Sequence, residues 1–170
     1  MNSATDASDV HNNAFFKLVG NSLKFKAFLL RKLPAAYFSG VRLLQADEQK
    51  STVSIPYKWF TRNPFGSTYF ACLSMAAEMS TGVLVMAHTY QHKPAVSTLV
   101  VQVEGRFDKK AIGITRFVCE DGLALKALVE QALLTGNAQQ IKMTSKGYDE
   151  MGAVIAEFGI TWSLKARAVK

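Results

Sequence analysis

Apolar residues dominate one long stretch in the middle of the chain. Between about residues 68 and 87 nearly every position is apolar or small, and Glu78 is the only charged residue. A helix with this pattern is normally buried on all sides, whereas a surface helix keeps a polar face. The pattern therefore predicts a long central helix that the rest of the chain encloses.

The segments before the central helix follow two other patterns. Residues 10–33 place apolar side chains at steps of three and four, with lysines and arginines on another side, which predicts an amphipathic helix. We expect Pro34 to end that helix, followed by a loop through residue 40. Residues 41–43 and 53–59 alternate apolar and polar positions on either side of residues 47–50, which predicts a β-hairpin.

The second half of the chain is mostly alternating. Residues 97–107, 112–119, 138–145 and 154–168 are predicted strands, residues 122–134 a helix, and Phe158 with Gly159 a bulge or bend in the last strand. Successive strands joined by turns favour an antiparallel sheet. We therefore expect an α+β domain over residues 10–170, in which a core of residues 41–168 forms a largely antiparallel sheet around the central helix. Residues 1–9 are polar and expected to be disordered or frayed.

Composition restricts the class of protein. The chain has 170 residues, of which 49% are hydrophobic, and a formal charge of +7. Such a charge attracts nucleic acid, an anionic membrane or an acidic small ligand. The cations are scattered, without an Arg-rich helix, so we expect no nucleic acid partner. The basic N-terminal helix could lie on a membrane surface, although packing on the domain's own sheet is the commoner arrangement.

Nothing in the sequence directs the chain to a membrane span or a secretory route. The first twenty residues lack a signal-peptide pattern, and Glu78 would be costly at the centre of a bilayer-spanning helix, so no transmembrane segment is expected. Cys72 and Cys119 match no metal spacing and are expected to be reduced core residues. These features favour a cytoplasmic protein.

The element order, with Asn63, Gly66 and Glu78 at their present spacing, resembles the hot-dog fold thioesterases. The similarity covers roughly residues 41–164 and is greatest to the phenylacetyl-CoA thioesterase-like branch. It implies hydrolysis of an acyl-CoA or related acyl thioester, with no cofactor beyond the coenzyme A of the substrate. It also implies that Asn63 and the backbone amide of Phe70 hold the carbonyl, and that Glu78 acts as nucleophile or base.

The sequence departs from this family at the start of the central helix. Many members have His-Gly-Gly where this chain has Tyr69, Phe70 and Ala71, and Pro64 follows the Asn. We expect Gly66 and Tyr69 to border the substrate and the Phe70 side chain to narrow the access of the acyl group.

A basic cluster lies at the end of a predicted strand. Arg106, Lys109 and Lys110 could bind the phosphates of coenzyme A, and the alternative is a solvated turn.

The spacing of Phe70 and Glu78 has a consequence for assembly. Eight residues of helix separate them, which is about 12 Å along the axis at about 1.5 Å per residue. One thioester cannot easily contact both, so we expect a second copy of the helix across a two-fold axis. This predicts a homodimer with two composite sites, which could pair further into a tetramer.

Other assignments stay open from the sequence. Burial should raise the pKa of Glu78, unless a strand cation pairs with it or it faces solvent between protomers. Ser67 or Thr68 is expected to cap the helix. His88 and His92 are expected in a loop, without a metal. A non-catalytic hot-dog module that binds an acyl or CoA ligand, or serves in assembly, is the alternative function. A hydratase ranks below both because the central helix lacks a suitable His.

Overall fold

The computed structural model describes residues 15–167, in which helices and strands alternate along one domain. Residues 15–20 are helical, and the remaining elements follow in chain order: α1 (Ser22–Lys32), α2 (Pro34–Ser39), β1 (Arg42–Ala46), β2 (Ser51–Pro56), a 3-10 helix (Trp59–Thr61), α3 (Phe70–Thr89), β3 (Val96–Phe107), β4 (Ile114–Cys119), α4 (Gly122–Thr135), β5 (Gln139–Tyr148) and β6 (Val154–Ala166).

The six strands form one antiparallel sheet in the order β1-β2-β4-β5-β6-β3. The bulge predicted at Phe158 and Gly159 is wrong, because Gly159 pairs in regular register with Glu104 on one side and Thr144 on the other. Its small size serves packing instead. A Cβ at Gly159 would lie 2.5 Å from Cε of Lys142.

The central helix α3 occupies the middle of the core, as its all-round apolar pattern predicts. Its small residues Ala76, Ala77 and Gly82 are buried and let the helix approach the sheet closely. It is long and apolar enough to cross a membrane, but 67% of its most apolar window is buried inside the fold. Among the described residues it is therefore a core helix.

The N-terminal region differs from the predicted single helix. Helical residues 15–20 are separated from α1 at Asn21, whose side chain accepts hydrogen bonds from the N–H groups of Leu23 and Lys24 (3.1 Å each). Asn is a favoured N-cap because its side-chain oxygen replaces a missing helical acceptor. Residues 1–9 and the predicted helix start at residue 10 lie outside the described residues.

The predicted loop after Pro34 is also wrong. Pro34 is the first residue of α2, where its fixed φ suits a helix and its missing N–H costs nothing. Gly40, with φ of +78°, ends α2 in the left-handed conformation that favours glycine.

The hairpin is confirmed with different strand bounds, since β1 continues to Ala46 and β2 ends before residue 59. Strand β2 ends at Pro56, and Trp59 lies in the 3-10 helix with 76% of its surface exposed instead of on a buried strand face. The hydroxyl group of Thr61 donates to the carbonyl oxygen of Pro56 and accepts from the N–H of Lys58, which closes this turn.

Strand β3 is one edge of the sheet, and it is unusually open. It has 12 residues, nearly all exposed, and pairs only with β6. Its exposed side chains include Leu99 (64% exposed), Val101 and Val103. Long apolar edges of this kind invite pairing with another strand.

The two cysteines are free and buried, as predicted. Burial raises the pKa of the Cys119 thiol to about 12 and also raises the pKa of Cys72. Both are therefore protonated near neutral pH, which disfavours Cys72 as a nucleophile.

Candidate functional site

Glu78 lies near the middle of α3 and is half-buried. No hydrogen-bond or ion-pair partner meets its carboxylate among the described residues. Burial raises its pKa above the ordinary value. A carboxylate that is desolvated without a compensating cation is a stronger base near neutral pH.

Two neighbours that the sequence did not single out for Glu78 shape its surroundings. A Cβ at Gly82 would lie 3.3 Å from Oε1 of Glu78 and 3.6 Å from Cζ2 of Trp162, so the glycine leaves space between carboxylate and indole. The Trp162 Nε1–H donates to Thr81 Oγ1 (2.9 Å), and that hydroxyl donates to the Glu78 carbonyl oxygen (2.9 Å). The indole therefore supports this turn of α3, and only tertiary packing reveals the role.

The loop before α3 is organised by Asn63. Its Oδ1 accepts from the N–H groups of Phe65 (2.9 Å) and Ser67 (3.2 Å), and its Nδ2 lies 3.1 Å from Ser67 Oγ. Gly66 has φ of +73° with open space around it, so its role is conformational. Both residues shape the loop that leads to the helix.

The start of α3 has no side-chain cap. Neither Ser67 nor Thr68 caps it, contrary to expectation, because the Thr68 hydroxyl donates to the carbonyl oxygen of Ala111 (3.1 Å) and the Ser67 hydroxyl contacts Asn63. Helix α3 begins at Phe70.

Two N–H groups at this end are consequently unpaired. The N–H groups of Cys72 and Leu73 donate to the Tyr69 carbonyl oxygen, whereas those of Phe70 and Ala71 find no acceptor among the described residues. An uncapped helix N-terminus combines such N–H groups with the positive end of the helix dipole. This arrangement suits an oxygen that gains negative charge.

A cavity of about 590 Å³ opens at this helix end. Its lining includes five residues that the sequence predicts to catalyse or bind the substrate, Asn63, Tyr69, Phe70, Lys109 and Lys110. The cavity is large enough for part of a small-molecule ligand.

Aromatic rings form one wall of this cavity. The Phe70 side chain is 57% exposed, and its ring contacts those of Tyr69 (centroids 5.0 Å apart) and Phe107 (6.5 Å). Phe107 in turn meets Phe158 (5.5 Å). The ring of Phe70 thus lies in the cavity wall, and Phe107 is a wall residue that local sequence reasoning missed.

The predicted basic cluster is only partly available to an anion. Arg106 pairs with Asp108 (3.1 Å), and Lys109 pairs with Asp149 (2.9 Å). Lys110 instead donates to the carbonyl oxygen of Phe65 (3.0 Å) and has no acidic partner among the described residues. Lys110 is therefore the cation of this cluster with the most available charge.

Glu78 does not line this cavity. The eight-residue separation along α3 places Glu78 about 12 Å farther along the helix axis than Phe70, at about 1.5 Å per residue. One chain therefore presents two partial sites, the cavity at the helix N-terminus and the unpaired carboxylate farther along the helix.

Neither His88 nor His92 lines the cavity at the helix N-terminus. His88 lies within α3, contrary to the loop predicted for it, and is buried with its Nε2 2.9 Å from the carbonyl oxygen of Glu48. Burial lowers its pKa. Within residues 15–167, no three His, Cys, Asp or Glu side chains converge as a metal site would require.

No protein family model and no curated protein matches the sequence. Solved structures do match the fold. PA5026 from Pseudomonas aeruginosa, a protein of unknown function described as a probable thioesterase, superposes with a TM-score of 0.73 at 21% identity, over 85% of this chain and 96% of that chain.

Two further solved structures match the fold of this chain. A putative thioesterase from Shewanella oneidensis gives a TM-score of 0.67 at 10% identity, over 84% of this chain and 95% of that chain. Thioesterase HI1161 from Haemophilus influenzae gives 0.60 at 12% identity, over 86% and 91%. These likenesses show the fold, and the predicted hot-dog fold, an antiparallel sheet around a long central helix, is confirmed.

Proposed function

We propose that this protein hydrolyses acyl thioesters of coenzyme A, or of a related carrier, as a cytoplasmic homodimer. The observation that carries the proposal is the pair of partial sites on α3. An uncapped helix N-terminus with free N–H groups of Phe70 and Ala71 faces a cavity, and an unpaired, desolvated Glu78 lies two turns farther on. The names of structural neighbours agree with thioester hydrolysis.

Assembly joins the two partial sites in this proposal. Strand β3 is a long apolar edge, and pairing it with the β3 of a second copy would continue the sheet across a two-fold axis. Each composite site then takes the helix N-terminus from one protomer and Glu78 from the other. Two such dimers could pair into a tetramer.

The chemistry assigns one task to each part. The free N–H groups of Phe70 and Ala71 bind the carbonyl oxygen and stabilise the negative charge that forms on it. Glu78 either removes a proton from water as that water attacks the carbonyl carbon, or attacks the carbon itself and forms an anhydride that water then hydrolyses. In both routes the C–S bond breaks, and the products are a carboxylic acid and a thiol.

The remaining predicted residues orient the substrate. Asn63 and Gly66 hold the loop that leads to the helix, so in this proposal they position the carbonyl. The rings of Tyr69 and Phe70 contact the acyl group. Lys110, with Arg106 and Lys109 beside it, would bind the phosphates of coenzyme A.

The test compares Glu78→Gln with the parent protein on a panel of acyl-CoAs. We expect kcat to fall at least about 100-fold, because the carboxylate supplies the base or nucleophile. Glu130→Gln is the matched control, since Glu130 is exposed on α4 and should leave the rate unchanged. Equal rates for Glu78→Gln and the parent, with an unaltered circular dichroism spectrum, would remove Glu78 from the mechanism.

A non-catalytic role in binding an acyl or CoA ligand is the second candidate. The observation in its favour is that the Asn63 side chain is already engaged by the loop, and that the bulky Phe70 borders the cavity. Mass spectrometry of the purified protein, followed by incubation with acyl-CoA, distinguishes the two. Retained ligand without released thiol favours binding alone.

A further inference from the structure

The charge of the chain is divided unevenly along the sequence. Residues 15–46 contain no Asp or Glu, and their cations are Lys17, Lys24, Lys26, Arg31, Lys32 and Arg42. None of these cations forms an ion pair with a described residue. Several cations later in the chain, by contrast, are paired, such as Lys50 with Glu120 and Lys142 with Glu104. Residues 15–46 therefore carry positive charge that no acidic residue within the segment compensates.

Exposed aromatic rings cluster where this segment meets the 3-10 helix. Phe38 of α2 contacts Phe60 of the 3-10 helix (centroids 6.4 Å apart), and Phe60 contacts Trp59 (6.5 Å). All three side chains are more than half exposed, and Trp59 is exposed over 76% of its surface. Exposed apolar side chains that cluster instead of standing singly mark an interaction surface.

Cations flank the rings directly. Lys58 and Arg62 border the 3-10 helix, and the Lys58 ammonium lies against the end of α2, where a Cβ at Gly40 would be 2.8 Å from its Nζ. Neither cation pairs with a described acid. We call Phe38, Lys58, Trp59, Phe60 and Arg62 the aromatic-basic face.

We propose that the aromatic-basic face docks the protein on an anionic lipid bilayer. Trp rings favour the headgroup level of a bilayer, and lysines and arginines around them are attracted to anionic lipids. Charge complementarity selects this occupant, because the face combines inserted aromatic area with cations that have no partner in the chain. The five residues of the aromatic-basic face do not line the cavity at α3, and the proposal does not depend on thioester hydrolysis.

Two tryptophans with different exposure make the docking directly visible. Trp162 is buried (8% exposed), so a shift of the fluorescence emission reports Trp59. The full chain is mixed with phosphatidylcholine vesicles that contain about 30% phosphatidylglycerol, and with vesicles of phosphatidylcholine alone. We expect co-sedimentation and a blue shift with the anionic vesicles only, and release when salt rises from about 0.05 M to about 0.5 M.

Variants distinguish insertion of the aromatic rings into the bilayer from electrostatic attraction of the protein to anionic lipids. Trp59→Ser with Phe60→Ser should lower the vesicle partition coefficient at least about tenfold, because the aromatic area that enters the bilayer is lost. Lys58→Glu should lower it at least about fivefold at low salt. Leu134→Ser and Lys165→Glu are the matched controls, an exposed leucine on α4 and an exposed lysine on β6, and should leave binding unchanged.

Three results would overturn the proposal. The first is no binding to anionic vesicles at low salt. The second is equal binding by the double aromatic variant and the parent, since charge alone then accounts for it. The third is a change in hydrodynamic mass of the aromatic variant without lipid, because the face is then a contact between copies of the chain. Circular dichroism checks that each variant is folded.

Discussion

At the scale of single residues, the burial of Glu78 affects both the stability of the fold and the strength of its carboxylate as a base. A carboxylate that is desolvated without a cation weakens the folded state whenever it is charged, and the same desolvation strengthens it as a base. The raised pKa makes both effects depend on pH.

The pH dependence of stability follows from the direction of this shift. Between the ordinary value of 4.5 and the raised pKa, folded Glu78 keeps a proton that the unfolded chain releases. The free energy of unfolding therefore falls as pH rises through that window and stays lower above it. Glu78→Gln lacks this loss, so its Tm should exceed that of the parent at neutral pH. The difference should vanish below pH 4.5.

Thermal unfolding of both proteins across this pH range measures the effect. Glu130→Gln, which removes an exposed carboxylate on α4, should not show the same pH-dependent gain. A constant Tm difference between Glu78→Gln and the parent at all pH values would contradict the shifted pKa.

Gly66 is the second residue with a specific prediction. Its φ of +73° is unfavourable for residues with a Cβ, although no atom blocks one there. Gly66→Ala should lower the free energy of unfolding by about 1–2 kcal/mol, and Gly66→Asn by less, since Asn tolerates this conformation better. Urea unfolding measures both, and Gly20→Ala, at a helical glycine without positive φ, is the control. Equal losses for Ala and Asn would argue against backbone strain as the cause.

At the scale of elements, the start of α3 shows how local preference yields to tertiary contacts. Ser and Thr before a helix usually cap it, yet here the Thr68 hydroxyl donates to Ala111, 43 residues away. The helix N-terminus therefore keeps two free N–H groups beside a cavity. The absence of a cap is what makes this end available to a ligand.

Strand β3 carries the prediction about assembly. Replacing Leu99 and Val103 with Glu places charges on the exposed edge, twice in a symmetric pair. We expect the dissociation constant of the dimer to rise about 30-fold or more. Acyl-CoA hydrolysis should fall with it, because each composite site needs both copies.

Light scattering after size exclusion measures the mass of this variant, and circular dichroism checks its fold. Met151→Glu, at an exposed apolar residue in the β5-β6 turn, is the control and should stay dimeric. An unchanged dimer in the β3 variant would place the interface elsewhere.

At the scale of the whole molecule, the composite site makes a distinctive prediction. Glu78→Gln damages one half of each site, and Asn63→Ala damages the other. In a mixed dimer of the two variants, one site carries both changes and the other carries neither. An equal mixture that has exchanged subunits should therefore recover about a quarter of the parent activity, although each variant alone is inactive.

The control mixture combines Glu78→Gln with a chain that carries both changes, which leaves no intact site. Steady-state hydrolysis before and after subunit exchange measures the recovery. If both groups act within one chain, mixing restores nothing, and the dimeric site is refuted while thioesterase activity of the parent remains.

Much of the fold could be predicted because burial leaves a pattern in the sequence. The central helix, its single carboxylate and the antiparallel strands follow from periodicity. The sequence also indicates the loop with Asn63 and Gly66 and the basic cluster as parts of a site. The structure brings Asn63, Lys109 and Lys110 to one cavity.

The sequence by itself determined that a buried central helix and a largely antiparallel sheet form, because burial imposes a period of two on strands and an all-round apolar surface on the core helix. Tertiary structure alone decided the partners. It assigned Thr68 to Ala111, set Trp162 near Glu78 and grouped Phe38 with Phe60. Such contacts join residues distant in the chain, so no local pattern encodes them.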